Sequence, residues 1–209
     1  MVYPLVKYKR GLLLNIFDKN RKTYWVQKQL KEIASFCGGG TPSKDVTSYW
    51  SGNIGWVSSS DIQDEWIDTI SITRRINKTA IENSSTKLCP KGSIAIVSRV
   101  GVGKVAIMPE NLCTSQDFTN IISLDGNKVF FAYQIAFKMK IETTKTQGTS
   151  IKGITSDTIK RMMVHIPPQD EQEHIAVFLT AVDLKLKYEL RLFDSLRGIK
   201  KALLQKLFI

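Results

Sequence analysis

A glycine pair and a lysine at Gly101-Val102-Gly103-Lys104 are the residues most suggestive of phosphate chemistry. A phosphate-binding loop of the form G-x-x-x-x-G-K-[ST] would need glycine at Ser98 and a hydroxyl at Val105, and both positions differ. A dinucleotide-binding fingerprint would need a third glycine and a following helix, whereas the residues after Gly103 are typical of a strand. The sequence therefore predicts neither an NTPase nor a dinucleotide-binding enzyme.

The remaining titratable residues form no catalytic set. His165 precedes two prolines, a position typical of a strand end, and neither G-x-S-x-G nor H-E-x-x-H occurs. Asp61, Asp64, Glu65 and Asp68 lie within eight residues with no basic neighbour, which favours a solvated acidic edge. Three cysteines without C-x-x-C spacing support neither a zinc site nor a disulfide framework. We therefore expect no catalytic residues, metal or cofactor in this chain.

Small, hydroxyl-bearing and basic residues gather in three predicted loop segments, at 38–43, 99–104 and 145–153, the last of which lies in a longer loop predicted at 143–153. Glycine lets a backbone approach phosphate closely, serine and threonine donate to phosphate oxygens, and arginine can donate two hydrogen bonds to a guanine edge. The candidate DNA-binding residues are Arg99, the first choice for base readout, then Gln116 and Lys104, and also Gly39, Thr41, Ser43, Ser60, Lys145, Thr149, Ser150 and Lys152.

The charge of the chain agrees with a polyanionic partner. The formal net charge is +11, and residues 87–161 carry eleven basic against five acidic groups. A field of that sign attracts nucleic acid. The alternative is a solvated basic surface on a small protein.

Mixed strands and helices are predicted to hold the candidate segments. Residues 92–98 and 104–108 are predicted as paired strands around a tight turn, and 120–123 and 159–166 as further strands. Residues 129–139 are apolar on several faces, which predicts a buried helix. Because strands and helices do not alternate strictly, we expect an α+β fold rather than a doubly wound sheet.

A long helix is predicted after Pro167-Pro168, with Asp170 as its N-cap and Glu173 completing a capping box. Its apolar residues follow a seven-residue period that is interrupted at Glu189 and Lys200. The predicted coiled-coil seam contains Leu179, Val182, Leu186, Phe193, Leu196, Leu203 and Leu207. At 1.5 Å per residue, about 38 residues form a rod of roughly 57 Å, which needs a partner helix.

The beginning of the chain resembles its end. Residues 9–17 align with 200–208 at four identical positions of nine, which indicates either a repeat or two similar basic amphipathic helix ends. We expect a helix remnant and linker at 1–24, a globular domain at 25–166 and the long helix at 167–209.

Five motifs together resemble the specificity subunit of type I restriction-modification systems, in a half-length form with one target-recognition domain. They are G-G-G-T-P-S followed by Y-W-x-G-x-I-x-W (38–56), S-R-x-G-x-G-K-V-A-I (98–107), Q-G-T-S-I-K-G-I (147–154), I-P-P-x-x-E-Q (166–172) and L-L-Q-K-L-F (203–208). The last two are the most specific.

The resemblance implies a targeting subunit that binds double-stranded DNA and carries no catalysis. It implies modification subunits that methylate adenine with S-adenosylmethionine, and restriction subunits that cut with ATP and magnesium. Family members usually have two recognition domains, whereas this chain has one. The chain resembles half a subunit, either a natural half-length protein or a piece of a longer one. If it is natural, two copies are expected to form a homodimer through antiparallel long helices, which also act as a spacer and as a docking surface for the modification subunit.

A second hypothesis is a structural adaptor that does not bind DNA and recruits partner proteins through its coiled-coil helix. The start of the chain lacks the apolar region of a signal peptide, and no apolar run approaches 18 residues. We therefore expect a cytoplasmic protein without a membrane partner.

Overall fold

Three long helices pack against one another, and one of them also packs against a β-sheet. The computed structural model describes residues 2–17, 24–146 and 153–207. The helices in these ranges are α1 (Val2–Phe17), α2 (Leu30–Ile33), α3 (Lys78–Glu82), α4 (Lys128–Thr146), α5 (Ser156–Lys160) and α6 (Gln169–Leu207). The strands are β1 (Val26–Gln29), β2 (Ala34–Gly38), β3 (Ile54–Val57), β4 (Arg74–Ile76), β5 (Leu88–Cys89), β6 (Ile94–Val97), β7 (Val105–Ile107), β8 (Leu112–Thr114), β9 (Phe118–Leu124) and β10 (Met163–Ile166).

Strands of the described ranges form two four-stranded sheets and one two-stranded sheet. The first has the order β2-β9-β6-β7 and is antiparallel throughout. The second has the order β4-β3-β8-β5, in which β3 and β8 are parallel. In the third, β1 pairs antiparallel with β10. Strands and helices are mixed along the chain without strict alternation, so the predicted α+β class is confirmed.

Local sequence explains the central elements. All four residues of β6 are buried, which agrees with its uninterrupted apolar run, and β6 pairs with β7 across the predicted tight turn. α4 begins after Asn127, whose side-chain oxygen accepts hydrogen bonds from the backbone N–H groups of Val129 and Phe130 at 3.0 and 3.1 Å. The predicted helix at 129–139 is confirmed and extends to Thr146.

α4 lies at the centre of the main hydrophobic cluster. Phe130 is fully buried, and its ring meets Phe17 of α1 and Trp25 in edge-on arrangements, with centroids 5.6 and 5.9 Å apart. Leu179 of α6 belongs to the same cluster. The long helix is therefore attached to the domain along its first half. No helix in the described ranges is both long and apolar enough to span a membrane.

Two predictions between α4 and α6 are wrong. The strand predicted at 159–166 begins only at Met163, because the preceding residues form α5. Thr155 caps α5 by accepting a hydrogen bond from the backbone N–H of Thr158 at 3.1 Å. The loop predicted from residue 143 is helical as far as Thr146, and residues 147–152 lie outside the described ranges.

The start of α6 and the position of its buried seam also differ from prediction. The helix begins at Gln169, so Asp170 is not the N-cap but lies in the first turn, where a carboxylate still stabilises the helix dipole. Leu179 and Leu186 of the predicted seam are buried within this chain, and their pairing with a partner helix stays a prediction. Val182 is only half-buried, and Asp183 takes the buried position between these leucines. The buried face of α6 that packs against the domain therefore runs through Leu179, Asp183 and Leu186.

Candidate nucleic-acid interface

Strands of both large sheets end at one shared edge. Parallel β3 and β8 are in register at Val57 and Thr114, and the backbone N–H of Ser115 donates to the carbonyl of Val57 at 2.9 Å. β6 and β9 join the same edge, because the backbone N–H of Ser98 donates to the carbonyl of Asp117 at 2.8 Å. We call this edge, formed by residues 39–43, 58–61, 98–104 and 115–117, the rim.

The glycine segment of the rim, residues 39–43, packs directly on the end of β8. The backbone N–H of Gly40 donates to the carbonyl of Thr114 at 2.8 Å. The carbonyl of Gly40 accepts from the Thr86 hydroxyl at 2.5 Å and from the Trp56 indole at 2.9 Å. A side chain at Gly39 would overlap the carbonyl oxygen of Ser115. Glycine is therefore required here by close backbone packing.

Two candidate residues of the rim contact each other. Thr41 donates its hydroxyl to the side-chain oxygen of Gln116, although the two lie 75 residues apart in the chain. Gln116 is exposed and Thr41 is half-buried. The hydrogen bond fixes the orientation of the Gln116 amide and leaves its two N–H groups as donors.

A short turn at Ser58–Asp61 is held by an arginine that sequence reasoning missed. The Arg74 guanidinium lies 4.6 Å from the ring centroid of Trp56, its cross-strand neighbour. It donates to the Ser58 hydroxyl at 2.6 Å and forms an ion pair with Asp61. Only the pairing of β3 with β4 brings Arg74 to this turn, so no local motif could have identified it.

The hairpin between β6 and β7 presents Arg99. Gly101 and Gly103 have φ angles of +75° and +102°, which favour glycine at both turn positions. Lys104 donates its ammonium to the carbonyl of Ser59 at 3.0 Å, which ties the hairpin to the neighbouring turn. Arg99 itself is exposed.

Gly153, the last residue of the third candidate segment, lies beside Arg99. A β-carbon at Gly153 would lie 2.6 Å from the Ser98 carbonyl oxygen and 3.0 Å from the Cα of Arg99. Gly153 therefore lies against the rim.

The structure brings most of the described candidates together. Ser43 and Ser60 are exposed like Arg99 and Gln116, and Lys104 is half-buried. The remaining candidates have side chains outside the described part of the chain: Lys145, Thr149, Ser150 and Lys152. Their role in DNA binding stays a prediction.

The acidic stretch at 61–68 is not the solvated edge that we expected. Glu65 forms ion pairs with Arg10 of α1 at 2.9 Å and Lys140 of α4 at 3.2 Å. Burial would raise the pKa of Glu65, but Lys140 and Arg10 outweigh it and lower the pKa. Asp68 forms an ion pair with Lys187 of α6. These partners are 55 to 119 residues distant in sequence, so the local pattern concealed them.

A buried polar contact joins α1, α4 and α6, and we call its residues Lys9, Tyr133 and Asp183 the helix junction. Lys9 lies 2.7 Å from one carboxylate oxygen of Asp183, and Tyr133 donates its hydroxyl to the other at 2.8 Å. The Lys9 ammonium also lies 4.7 Å from the Trp66 ring centroid. Burial is the main cause that lowers the pKa of Lys9 and raises the pKa of Asp183.

An apolar groove of about 590 Å³ lies between α1 and α6. Leu5 and Tyr8 line one side, and Val182, Phe193 and Leu196 line the other. The second half of α6 exposes 43–57% of the surface of Leu192, Leu196, Ile199, Leu203 and Leu204, of which the first two also line the groove. In the described part of the chain, no other element covers this apolar face.

Comparison with known proteins gave a family match over most of the chain. Residues 22–192 match the model of the type I restriction modification DNA specificity domain. The chain is 31% identical over 190 residues to the type I restriction enzyme MjaIX specificity subunit of Methanocaldococcus jannaschii, covering 88% of this chain and 44% of that one. It is 32% identical over 184 residues to the EcoR124I/EcoR124II specificity subunit of Escherichia coli, with 84% and 44% covered. The chain thus spans less than half the length of both relatives.

Solved structures show the same fold at low sequence identity. A chain from a structure of the type I R-M system superposes with a TM-score of 0.75 and 15% identity, covering 97% of this chain and 50% of that one. The HsdS subunit from Thermoanaerobacter tengcongensis gives a TM-score of 0.68 and 14% identity, with 91% and 46% covered.

Proposed function

Because the chain belongs to the family of type I restriction modification DNA specificity domains, we propose that it is a sequence-specific DNA-recognition subunit. In this proposal the chain directs adenine methylation and DNA cleavage that separate modification and restriction subunits carry out. S-adenosylmethionine, ATP and magnesium would then bind to those partners and not to this chain. Such a subunit would act in the cytoplasm.

The observation that carries the proposal is the convergence of four polar segments at the rim. Arg99, Gln116 and Ser60 are exposed there, while backbone hydrogen bonds and glycine packing hold the segments in place. Donors on a rigid support lose little conformational entropy when they contact a base edge. The rim is therefore suited to reading DNA.

Side-chain chemistry assigns different tasks to the rim residues. Arg99 can donate two hydrogen bonds to a guanine, and Gln116 can contact an adenine through its amide. Ser43 and Ser60 carry hydroxyls that suit phosphate oxygens. Arg74 is already engaged by Asp61 and Ser58, so it positions the turn and does not read bases.

We also propose that two copies pair through antiparallel α6 helices and form a homodimer. The uncovered apolar residues on the second half of α6 support this arrangement. A two-fold homodimer would recognise two inverted copies of one half-site, separated by a gap that the helices fix.

Selection from a randomised duplex library tests DNA recognition. The chain is assembled with its modification subunit, and we expect one enriched motif with two inverted halves. Arg99→Ala and Gln116→Ala should each relax the motif at one position per half. The matched control is Arg161→Ala, an exposed arginine that directly follows α5 and lies outside the rim.

Failure to enrich any motif, with the complex intact, would contradict DNA recognition and favour the adaptor hypothesis. Enrichment of two unrelated halves would retain DNA recognition and contradict the homodimer.

A further inference from the structure

Two cysteines from different sheets meet beside the rim. The sulfur atoms of Cys37 and Cys89 lie 3.2 Å apart. Cys37 belongs to β2 and Cys89 to β5, and each strand is the edge strand of its four-stranded sheet. A covalent bond between them would therefore join the two sheets at their edges.

The surroundings of the two thiols give them different reactivities towards an oxidant. The hydrogen bond from Cys89 is the main cause that lowers the pKa of Cys37 to about 7, with help from Asn120 and Lys87 and against burial. The same contact and burial raise the pKa of Cys89. Cys37 is half-buried and Cys89 is fully buried. Near neutral pH, Cys37 is thus the thiolate within reach of a small oxidant, and Cys89 is the adjacent thiol.

We propose that Cys37 and Cys89 form an oxidation-sensitive pair that a peroxide converts into a disulfide. The Cys37 thiolate attacks one peroxide oxygen, the O–O bond breaks, and sulfenic acid and hydroxide form. The Cys89 sulfur then attacks the sulfenic sulfur of Cys37. The S–S bond forms, the S–O bond breaks, and the hydroxyl leaves with the Cys89 proton as water.

The third cysteine is excluded by the geometry of its strand. Cys113 follows Leu112, the residue that pairs with Cys89, and successive residues of a strand point to opposite faces. Cys89 and Leu112 belong to one hydrophobic cluster, whereas Cys113 belongs to another with Trp56. Cys113 therefore faces away from Cys37.

The proposed Cys37–Cys89 disulfide would restrict the glycine segment of the rim, because it lies at the base of that segment. Cys37 lies two residues before Gly39, where the glycine segment of the rim begins. A link to β5, the neighbour of β8, would add a covalent attachment at the base of this segment to its hydrogen bond with β8. The oxidised chain should have a less mobile glycine segment than the reduced chain.

Peptide mapping of the full-length protein after peroxide treatment tests the pairing. Trypsin places the three cysteines in different peptides, 32–44, 88–91 and 105–128. Under non-reducing conditions we expect peptide 32–44 linked to 88–91, with Cys113 unmodified. Cys89→Ser should leave Cys37 as a sulfenic acid that dimedone traps, and Cys113→Ser should not change the linkage.

Three outcomes would overturn the proposal. They are a link from Cys37 to Cys113, a covalent dimer through Cys37, and direct over-oxidation of Cys37 with Cys89 still free.

Amide hydrogen exchange provides a second measurement. Exchange of residues 38–41 should slow at least several-fold on oxidation and recover with a reductant. An equal exchange rate in the oxidised and reduced chain, or the same slowing in Cys89→Ser, would show that the disulfide does not restrict the glycine segment.

Discussion

Lys9 and Asp183, 174 residues apart, form an ion pair at 2.7 Å in which both side chains are almost fully buried. The pair connects the first helix of the chain to the last, and Tyr133 of α4 donates to the same carboxylate. Residues of α1 and α4 both contact the buried Asp183 carboxylate of α6. This contact therefore helps to set the direction in which α6 leaves the domain. The long helix is thus positioned by a polar interaction as well as by apolar packing.

Replacement of Asp183 alone should destabilise the protein strongly. Asp183→Leu leaves the Lys9 ammonium buried without its partner, which costs about 3–5 kcal/mol in comparable buried pairs. The triple variant Lys9→Met, Tyr133→Phe and Asp183→Leu removes all three polar groups, and we expect it to recover at least half of this loss. Urea unfolding of both variants measures the difference. Equal stability of the single and triple variants would show that the loss in Asp183→Leu does not come from leaving the Lys9 ammonium without its partner.

Glu65 should contribute stability that depends on pH. Its pKa is lowered on folding, so its contribution is present above the ordinary value of 4.5 and is lost as the pH falls through the folded pKa. Glu65→Gln should therefore be less stable than the wild type at pH 7, and the difference should shrink towards pH 3. Unfolding free energies across this range provide the test, with the exposed Glu82→Gln as control. A difference that stays constant with pH would contradict the assigned ion pairs.

Adjacent glycines should respond differently to alanine. Gly39→Ala places a methyl group on the carbonyl oxygen of Ser115, whereas Gly38→Ala meets nothing within 4 Å. We expect Gly39→Ala to lose about 1–3 kcal/mol, as overpacked sites do, and to weaken DNA binding because the glycine segment must move. Gly38→Ala should change neither quantity substantially. Thermal unfolding and DNA titration measure both. Similar behaviour of the two variants would argue against close packing at Gly39.

A charge on the exposed face of α6 should weaken the proposed homodimer. Leu203 is 57% exposed in the single chain, and burying a leucine contributes about 1.5–3 kcal/mol. Leu203→Glu should therefore raise the dimer dissociation constant at least about tenfold. Lys201→Glu introduces the same residue about 160° away around the helix and is the matched control. Sedimentation equilibrium distinguishes them, and a wild-type monomer at all concentrations would contradict the homodimer.

Local patterns predicted the elements well where a residue's role depends on its neighbours in sequence. The apolar run of β6 and the glycine turn before β7 both lie as predicted. Val182 was preferred to Asp183 as a seam residue because an apolar pattern cannot reveal a buried carboxylate. The compensating charge, Lys9, is 174 residues away.

At the rim, too, local sequence patterns cannot reveal partners that are distant in sequence. Arg99 and Gln116 could be named from residue type, and both are exposed at the rim. Arg74 could not be identified, because its role depends on the register that sets it opposite Trp56. The acidic stretch was misinterpreted for the same reason, since the cations that pair with Glu65 come from α1 and α4.

Sequencing of methylated adenines in cells that carry the modification subunit, with and without this chain, tests DNA targeting most directly. We predict methylation at a single motif of two inverted halves that requires the chain, and relaxed base choice within each half for Arg99→Ala. Unchanged methylation without the chain, or methylation without any sequence motif in its presence, would contradict the account.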